Sequence, residues 1–258
     1  MTEERKMKAN TMIVVLVAAC ALLGAGAAQA FHDGFDAYTP GTNIVAYPNW
    51  TEWWGGATVS TAQSYSPGNS ATYPSGTQGF AGAFHNFGST QTDVIVSAKI
   101  WSNLVGSQDD FRYLHIGIDA DDNMWNGGFY IYNVGYSSPG WGGRWGYISG
   151  TEPGGSGAES AHDTGVAMGG QWTALEWRVS SATGTEMWMN GNLIATDPSL
   201  TGFSLVWLFW DPFYYDTYQV SGRAFVDDVD VTAIPEPSSL LALASGLAGV
   251  GVLIRQKR

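Results

Sequence analysis

Cysteine is nearly absent from this sequence of 258 residues, which contains only Cys20. Because Cys20 lies in an apolar segment near the N-terminus, the chain after residue 30 can form no disulfide bond and no cysteine-ligated metal site. A chain of this length can bury a sufficient core without such cross-links.

Basic residues are also scarce. The sequence has 11 Lys and Arg against 23 Asp and Glu, which gives a formal net charge of −12 at pH 7. Proteins that bind nucleic acid derive much of their affinity from Lys and Arg that neutralise phosphates. This charge balance therefore argues against a nucleic-acid partner.

Glycine and aromatic residues are abundant instead. The sequence contains 34 Gly, 12 Trp, 12 Tyr and 11 Phe. Aromatic side chains are enriched in β-strands, whereas glycine is unfavourable inside helices. The composition predicts an exported, acidic protein that is rich in β-structure rather than a helical bundle.

Residues 1–30 have the three parts of a secretory signal peptide. A basic segment over residues 5–8 comes first, and an apolar run over residues 12–25 follows. The small residues at 28–30 then predict cleavage before Phe31.

Two other interpretations of this N-terminal segment remain open. It could be a permanent membrane helix, but the apolar run is short and ends at the small residues. Residues 17–20 also resemble a lipoprotein cleavage box in which Cys20 is lipidated. Apolar residues follow Cys20, where lipoproteins usually continue with polar ones.

The C-terminus carries a second apolar stretch, over residues 239–254, which is followed by the basic tail Arg255, Lys257 and Arg258. Sixteen helical residues span about 24 Å, close to the hydrocarbon thickness of a bilayer of about 30 Å. Local thinning of the bilayer accommodates the difference. The sequence predicts a transmembrane helix whose basic tail stays in the cytoplasm, with the preceding chain outside.

A short motif, Pro235, Glu236 and Pro237, directly precedes this stretch. The tripeptide, the apolar helix and the basic tail together resemble the PEP-CTERM sorting signal over residues 235–258. That resemblance implies a bacterial protein that the secretion machinery exports, that is transiently anchored in the inner membrane, and that an exosortase then cleaves. It also implies a final location in the cell envelope, at the surface or outside the cell, in organisms that produce exopolysaccharide.

Between residues 31 and 234 the apolar residues alternate with period two, as in Val94, Val96, Ala98 and Ile100. Asn190-Gly191 stands between two apolar runs and favours a type I′ hairpin turn. Strands without intervening helical patterns predict an all-β fold with two packed antiparallel sheets.

Three segments of this region resemble the laminin-G/concanavalin-like jelly-roll superfamily. The segment 33–38 resembles its first strand, and segments 170–177 and 187–194 resemble paired strands of the fold. The segment 225–231 resembles its closing strand. The resemblance implies that residues 31–234 form a two-sheet jelly-roll sandwich.

Motifs for hydrolytic chemistry are missing. The sequence contains no Gly-x-Ser-x-Gly nucleophile elbow, no histidines at i, i+4 spacing and no Glu-x-Asp-x-x-Glu pattern around Glu176. His115 alternates with Leu114 and Ile116, so we expect it to be exposed on a strand. The sequence therefore predicts a non-enzymatic envelope protein.

A lectin-like module for exopolysaccharide is the alternative function. Sugar rings stack on aromatic side chains beside a few polar groups. The aromatic residues that the sequence suggests for this role are Trp53, Trp54, Trp125, Trp141, Trp145, Trp210 and Tyr214. We expect Trp141 and Trp145 to be exposed because they stand among glycines, and we expect Trp172, Trp177 and Trp207 to pack between the sheets.

Calcium is the cofactor that the jelly-roll resemblance implies, since related modules often hold a structural ion where the first and last strands meet. Asp36 and Asp227 or Asp228 are its ligands by that resemblance. Because Asp227 alternates with Phe225 and Val229, we expect its carboxylate to face inward. An inward charge without a partner is unfavourable, and a cation would compensate it.

A second group of oxygen donors lies at Asp119–Asn123. It lacks the glycine and the distal glutamate of an EF-hand loop. Solvated acidic residues in a turn explain it equally well.

Overall fold

The period-two segments form strands that pair into two antiparallel sheets. The computed structural model describes residues 30–73, 81–103, 111–120, 128–135, 143–150, 162–210 and 223–234. The predicted signal peptide (except Ala30), the sorting tripeptide, the helix over 239–254 and the basic tail lie outside these residues. Within them, no helix is both long and apolar enough to cross a membrane.

The strands of the described residues are short to medium in length. They are β1 (Phe31–Asp33), β2 (Thr51–Trp54), β3 (Thr58–Ser60), β4 (Ser70–Thr72), β5 (Ala81–Gln91), β6 (Val94–Ser102), β7 (Phe111–Asp119), β8 (Gly128–Gly135), β9 (Arg144–Gly150), β10 (His162–Ala167), β11 (Trp172–Ser180), β12 (Gly184–Met189), β13 (Asn192–Asp197), β14 (Phe203–Trp210) and β15 (Ala224–Ala233). One 3₁₀ helix covers Ile44–Ala46.

The eight-stranded sheet has the order β13-β12-β11-β6-β15-β4-β3, with β1 paired to β15, and the seven-stranded sheet has the order β10-β9-β8-β7-β14-β5-β2. Antiparallel pairings join β1 to β15, β6 to β11, β14 to both β5 and β7, and β7 to β8. The prediction of an all-β sandwich of antiparallel sheets with almost no helix is confirmed for the described residues.

Alternation along two central strands defines the interior of the sandwich. On β6, Val94, Val96, Ala98 and Ile100 are at most 1% exposed. On β14, the Trp210 indole Nε1 donates a hydrogen bond of 3.4 Å to the carbonyl of Ala224 in the other sheet. Trp210 therefore faces inward, and so do the buried residues Val206 and Leu208, which share its face of β14.

The predicted hairpin turn is present between β12 and β13. Asn190 has a φ of 50° and Gly191 a φ of 78°, so both turn residues adopt the positive φ that a type I′ turn requires. The Asn190 side chain also accepts a hydrogen bond from the backbone N–H of Ala174. This contact joins the turn to the neighbouring strand β11.

Asp33, the last residue of β1, binds several groups of the segment that follows it. Its buried carboxylate accepts hydrogen bonds from the backbone N–H of Phe35 (2.9 Å), from Trp50 Nε1 (2.8 Å), from Asn49 Nδ2 (3.1 Å) and from the Tyr38 hydroxyl. Burial and the bond to Asp33 raise the pKa of Tyr38, which keeps this phenol protonated. A buried charge with this many donors is well compensated.

His85 of β5 packs beneath the first strand. Its ring centroid lies 4.1 Å from that of Phe31 and 4.5 Å from that of Phe87. Its Nδ1 bonds the carbonyl of Asn49 at 2.7 Å, and its buried Nε2 has no hydrogen-bond partner among the described residues. Burial lowers the pKa of His85, because protonation would place a charge against aromatic rings.

We predict that this histidine makes the fold acid-sensitive. A folded-state pKa below 6.5 means that the native state binds fewer protons than the unfolded state, so stability falls as the pH drops below about 6.5. The variant His85→Phe keeps an aromatic ring between Phe31 and Phe87, but this ring has no group that can take up a proton. Urea unfolding at pH 7 and pH 5 should show a larger loss of unfolding free energy in the wild type than in this variant. Equal losses in the two proteins would contradict the prediction.

Candidate functional site

The outer face of the seven-stranded sheet carries aromatic side chains in its centre. Because Trp210 and Leu208 face inward, Trp207 and Phe209 face outward, yet each is only 2% exposed. The sequence predicts that Trp207 packs between the sheets. It is buried, but on the outer face of its sheet, so that expectation is wrong. Strand β14 is apolar on both sides, so alternation of hydrophobic residues could not indicate its orientation.

His115 of β7 belongs to the same outer layer. It is paired with Phe209, and its ring centroid lies 5.4 Å from that of Phe209 and 6.4 Å from that of Trp207. The expectation that His115 is exposed is wrong, since 2% of it is accessible. Alternation predicts a solvated face opposite the core, but on this face the rings of Trp207 and Phe209 lie beside His115.

Trp53 of β2 extends this aromatic layer towards the sheet edge. Its ring centroid lies 5.4 Å from that of Phe209, and its side chain is partly exposed. Gly82 on β5 permits this approach, because a Cβ there would lie 3.0 Å from Phe209 and 3.2 Å from Trp53. Either ring would have to shift to accommodate an alanine.

Polar groups border the aromatic rings. Phe84 of β5 is paired with Trp207 and is partly exposed, and Asn86, two residues further along, is exposed. Asp119 of β7, fully buried, is paired with Leu205 on the same face. We call the set Trp53, Phe84, Asn86, His115, Asp119, Trp207 and Phe209 the front-face surface; Trp53, Phe84 and Asn86 are its accessible members, and the other four are buried beneath them. Aromatic rings beside a few polar groups can hold a sugar ring by stacking and hydrogen bonding.

Of the three predicted glycan-binding aromatics whose side chains are described, Trp53 lies on this surface. Trp145 and Trp210 are both 0% exposed and cannot offer a ring face to a ligand, so the expected exposure of Trp145 is wrong. Trp145 lies inside strand β9 rather than in a glycine-rich loop. The side chain of Trp54 and the whole of Trp125, Trp141 and Tyr214 lie outside the described residues.

The two other tryptophans expected between the sheets differ from each other. Trp177 is 0% exposed, which confirms its burial. Trp172 alternates with the buried Thr173 and Leu175, is partly exposed on the outer face and lies near Tyr65, with 6.0 Å between ring centroids, so the expectation for Trp172 is wrong. Phe84, Asn86 and Phe209 were missed by sequence reasoning. One signal could have indicated them. The run 205–210 is apolar at every position, which predicts burial of both faces of this strand and therefore aromatic contacts on the outer face of its neighbour β5.

Two of the candidate calcium ligands, Asp227 and Asp228, lie on β15, which pairs with β1 through residues 229–231, and Asp36 follows the end of β1. Asp227 is 0% exposed, but it does not face the interior. It shares a face with Phe225, whose ring packs against Trp101 on the outer side of the eight-stranded sheet, 5.4 Å between centroids. Asp228 has a φ of 45°, an irregularity that breaks the alternation and returns Val229 to the core. The expected inward orientation of Asp227 is therefore wrong.

Backbone N–H groups of the loop 61–69 compensate the Asp227 carboxylate. Its Oδ2 accepts hydrogen bonds from the N–H groups of Tyr65 (2.7 Å) and Ser66 (3.2 Å), and its Oδ1 accepts one from Asp228 (2.8 Å). Burial nevertheless raises the pKa of Asp227 to about 6. Asp36 accepts a hydrogen bond of 2.9 Å from the N–H of Asn69, at the other end of the same loop.

The carboxylates of Asp36 and Asp227 have hydrogen-bond donors and do not need a cation to compensate them. The carboxylates of Asp36 and Asp227 accept N–H donors, and no group of three or more Asp, Glu, His or Cys side chains within the described ranges could hold a metal ion. The acidic segment 121–123 lies outside those ranges. Calcium binding by Asp36, Asp227 and Asp228 stays a prediction.

Melting curves of the exported protein test this prediction. We expect calcium to raise the melting temperature of the wild type relative to excess chelator, because an ion that binds only the folded state stabilises it by mass action. Asp227→Asn retains an acceptor for the two loop N–H groups but loses the charge, and it should lose the calcium response. Identical wild-type curves in calcium and chelator would contradict calcium binding and leave Asp227 with its hydrogen-bonding role alone.

Comparison with known proteins adds information about the C-terminus. The family profile of the PEP-CTERM protein-sorting motif matches residues 233–258. The chain ends in a PEP-CTERM protein-sorting motif. This range contains the predicted Pro235, Glu236 and Pro237 and the basic tail, and the motif marks an exported protein targeted to the cell envelope. No curated protein matches the sequence.

Solved structures share the sandwich fold. One is Cip1, a cellulose-induced protein, with 18% identity, a TM-score of 0.50, and coverage of 79% of this chain and 97% of that one. The carbohydrate recognition domain of Emp47p has 8% identity and a TM-score of 0.52, covering 81% and 98%. A third comes from a study of endo-acting O-glycanases of the human gut microbiota, with 13% identity, a TM-score of 0.51, and coverage of 80% and 99%. At these identities the likeness concerns the fold.

Proposed function

We propose that residues 31–234 form a non-catalytic glycan-binding module of an exported envelope protein, with exopolysaccharide as the ligand class. The observation that carries this proposal is the front-face surface. Trp53 and Phe84 are partly exposed aromatic rings beside the exposed amide of Asn86. Beneath them lies a buried layer that holds Trp53 in place.

The physical basis is the amphipathic nature of sugars. The C–H groups on one side of a pyranose ring form an apolar surface that packs on an aromatic ring, and the hydroxyl groups at its edge need hydrogen-bond partners. Trp53 and Phe84 supply the aromatic part, and the Nδ2 group of Asn86 supplies donors, while its Oδ1 accepts a hydrogen bond of 2.7 Å from the backbone N–H of Gly88. Because Phe209 and Gly82 fix the position of the Trp53 ring, little side-chain entropy is lost on binding.

The fold comparisons support a carbohydrate ligand without identifying it. A carbohydrate recognition domain is among the proteins that share this sandwich over four fifths of the chain. A glycanase study supplies another, so hydrolysis is the competing activity. Glycoside hydrolysis usually needs two carboxyl groups that flank the scissile bond. Among the described side chains of the front-face surface, Asp119 is the one carboxylate, which favours binding over cleavage.

The sorting motif assigns the module its cellular setting in this proposal. A signal peptide over residues 1–30 directs export, and the helix over 239–254 anchors the protein in the inner membrane while an exosortase cleaves near Pro235–Pro237. The module is thereby released or re-anchored at the cell surface, where polysaccharide is available to it.

Alanine variants of the exported protein test the binding function on a glycan array and by calorimetry. We expect Trp53→Ala or Phe84→Ala to weaken binding about tenfold, the effect of losing one stacking contact of about 1.4 kcal/mol. Leu193→Ala is a matched control, because Leu193 is 49% exposed and belongs to the other sheet. Unchanged affinity in both front-face variants would exclude this surface, and release of reducing ends from a bound glycan would indicate an enzyme.

Mass spectrometry of the envelope fraction tests the processing step. The mature surface form should lack the cluster Arg255–Arg258, because cleavage near Pro235–Pro237 removes everything that follows. Replacing Glu236 by alanine should leave the tail attached if this motif is the recognised one. Recovery of a peptide ending at Arg258 from most wild-type molecules would contradict the prediction.

A further inference from the structure

The outer face of the eight-stranded sheet carries a second aromatic surface that the proposed function does not use. Tyr65 is 52% exposed, the most exposed large hydrophobic side chain of the described residues. Trp172 of β11 meets it edge to face, with 6.0 Å between ring centroids and an interplanar angle of 73°. The two rings belong to different parts of the chain, which the fold brings together.

The position of Tyr65 is held by hydrogen bonds. Its backbone N–H donates to the buried carboxylate of Asp227 at 2.7 Å. The hydroxyl of Ser70 donates to the carbonyl of Gln63, and the N–H of Asn69 donates to Asp36 at 2.9 Å. The loop 61–69 is therefore attached near both of its ends and its middle, and it presents Tyr65 in a fixed place above the sheet.

Lys99 of β6 completes the surface. Its Nζ lies 4.7 Å from the centroid of the Tyr65 ring, a cation–π contact. It is paired with Ala174 of β11, which makes it a diagonal neighbour of Trp172 at about 7–8 Å between Cα atoms. An ammonium group, an exposed phenol and an indole thus lie side by side on one sheet face.

Lys99 differs from two of the arginines in its charge environment, as far as the described residues show. Residues 31–234 contain five basic side chains, namely Lys99, Arg112, Arg144, Arg178 and Arg223. Arg144 pairs with Asp163 at 2.8 Å and Arg178 pairs with Glu176. Within the described part of the chain, no carboxylate lies within ion-pair distance of Lys99, although the protein carries a net charge of −12.

The same sheet face offers a built-in comparison for Lys99. Arg178 lies over the Trp188 ring, 4.2 Å from its centroid, so it too is a cation on an aromatic ring. Glu176 neutralises its charge, and Glu186 accepts the hydrogen bond of the Trp188 indole at 3.0 Å. In the Arg178–Trp188 pair the charge is therefore neutralised within the protein. In the Lys99–Tyr65 pair the ammonium group is available to a ligand.

We propose that Tyr65, Lys99 and Trp172 form a site for a carboxylated saccharide, with the aromatic rings against the sugar and the Lys99 ammonium on its carboxylate. A lysine ammonium has three donors and binds a carboxylate as a point charge. One cation beside two rings fits one acidic sugar unit. An acidic peptide such as poly-glutamate offers carboxylates but no sugar ring to pack on the aromatic side chains. The site lies on the opposite sheet from the front-face surface and does not depend on it.

Calorimetry of the exported protein with oligogalacturonate, at low ionic strength, tests the site. The methyl ester of the same oligosaccharide is the neutral probe, and poly-glutamate is the probe for bare charge. We expect oligogalacturonate to bind at least about tenfold more tightly than either, and added salt to weaken it. Lys99→Gln should remove the preference for the acid over its ester, and Tyr65→Ala should weaken both saccharides.

Three matched variants separate this site from its surroundings. Arg178→Gln removes a neighbouring cation that Glu176 already neutralises, and it should leave oligogalacturonate binding unchanged. Trp53→Ala should also leave it unchanged, so a failure of the front-face proposal does not affect this result. Equal binding of the acid and its ester by the wild type, equal binding of poly-glutamate, or no effect of Lys99→Gln in a protein with an unchanged melting temperature would overturn the proposal.

Discussion

The buried carboxylate of Asp33 is the constraint on which the first third of the sandwich depends. A charge at this depth is tolerable only when donors surround it, and four donors from the segment 35–50 do so. Their convergence places Trp50 against Phe31, with 5.8 Å between centroids, and Phe31 in turn covers His85. Phe31 is also the first residue of β1, which pairs with β15 and so brings the first and last strands of the domain together.

A comparable arrangement organises the opposite side of the eight-stranded sheet. The irregularity at Asp228 turns Asp227 outward, and the loop 61–69 folds over it to supply the N–H donors that the buried carboxylate needs. The proposed saccharide site depends on this electrostatic requirement, since the loop that satisfies Asp227 is also the loop that presents Tyr65 beside Lys99. In both places a buried acid determines where the chain between the strands must lie.

The strands and their turns could be predicted because their signals are local. Alternation placed Val94, Val96, Ala98 and Ile100 in the core, and the positive φ of Asn190 and Gly191 followed from turn chemistry. The two proposed binding surfaces could not be predicted in this way. The neighbours of Trp145 and His115 in sequence predict exposed side chains, yet both are buried, because burial depends on what packs above a strand from distant parts of the chain.

The sequence by itself determined the class of the protein: an acidic chain without structural disulfides, an antiparallel β-sandwich, and a C-terminal sorting motif whose residues are contiguous. These properties depend on composition, period and short motifs, which need no tertiary contact to be recognised. Only the tertiary structure decided that β14 is buried on both faces, that Asp227 lies on the outer face, and that Tyr65, Lys99 and Trp172 meet. Each of these results depends on contacts between segments that are far apart in sequence. Such contacts form only when the sheets pack and the loops close over them, so no local pattern in the sequence records them.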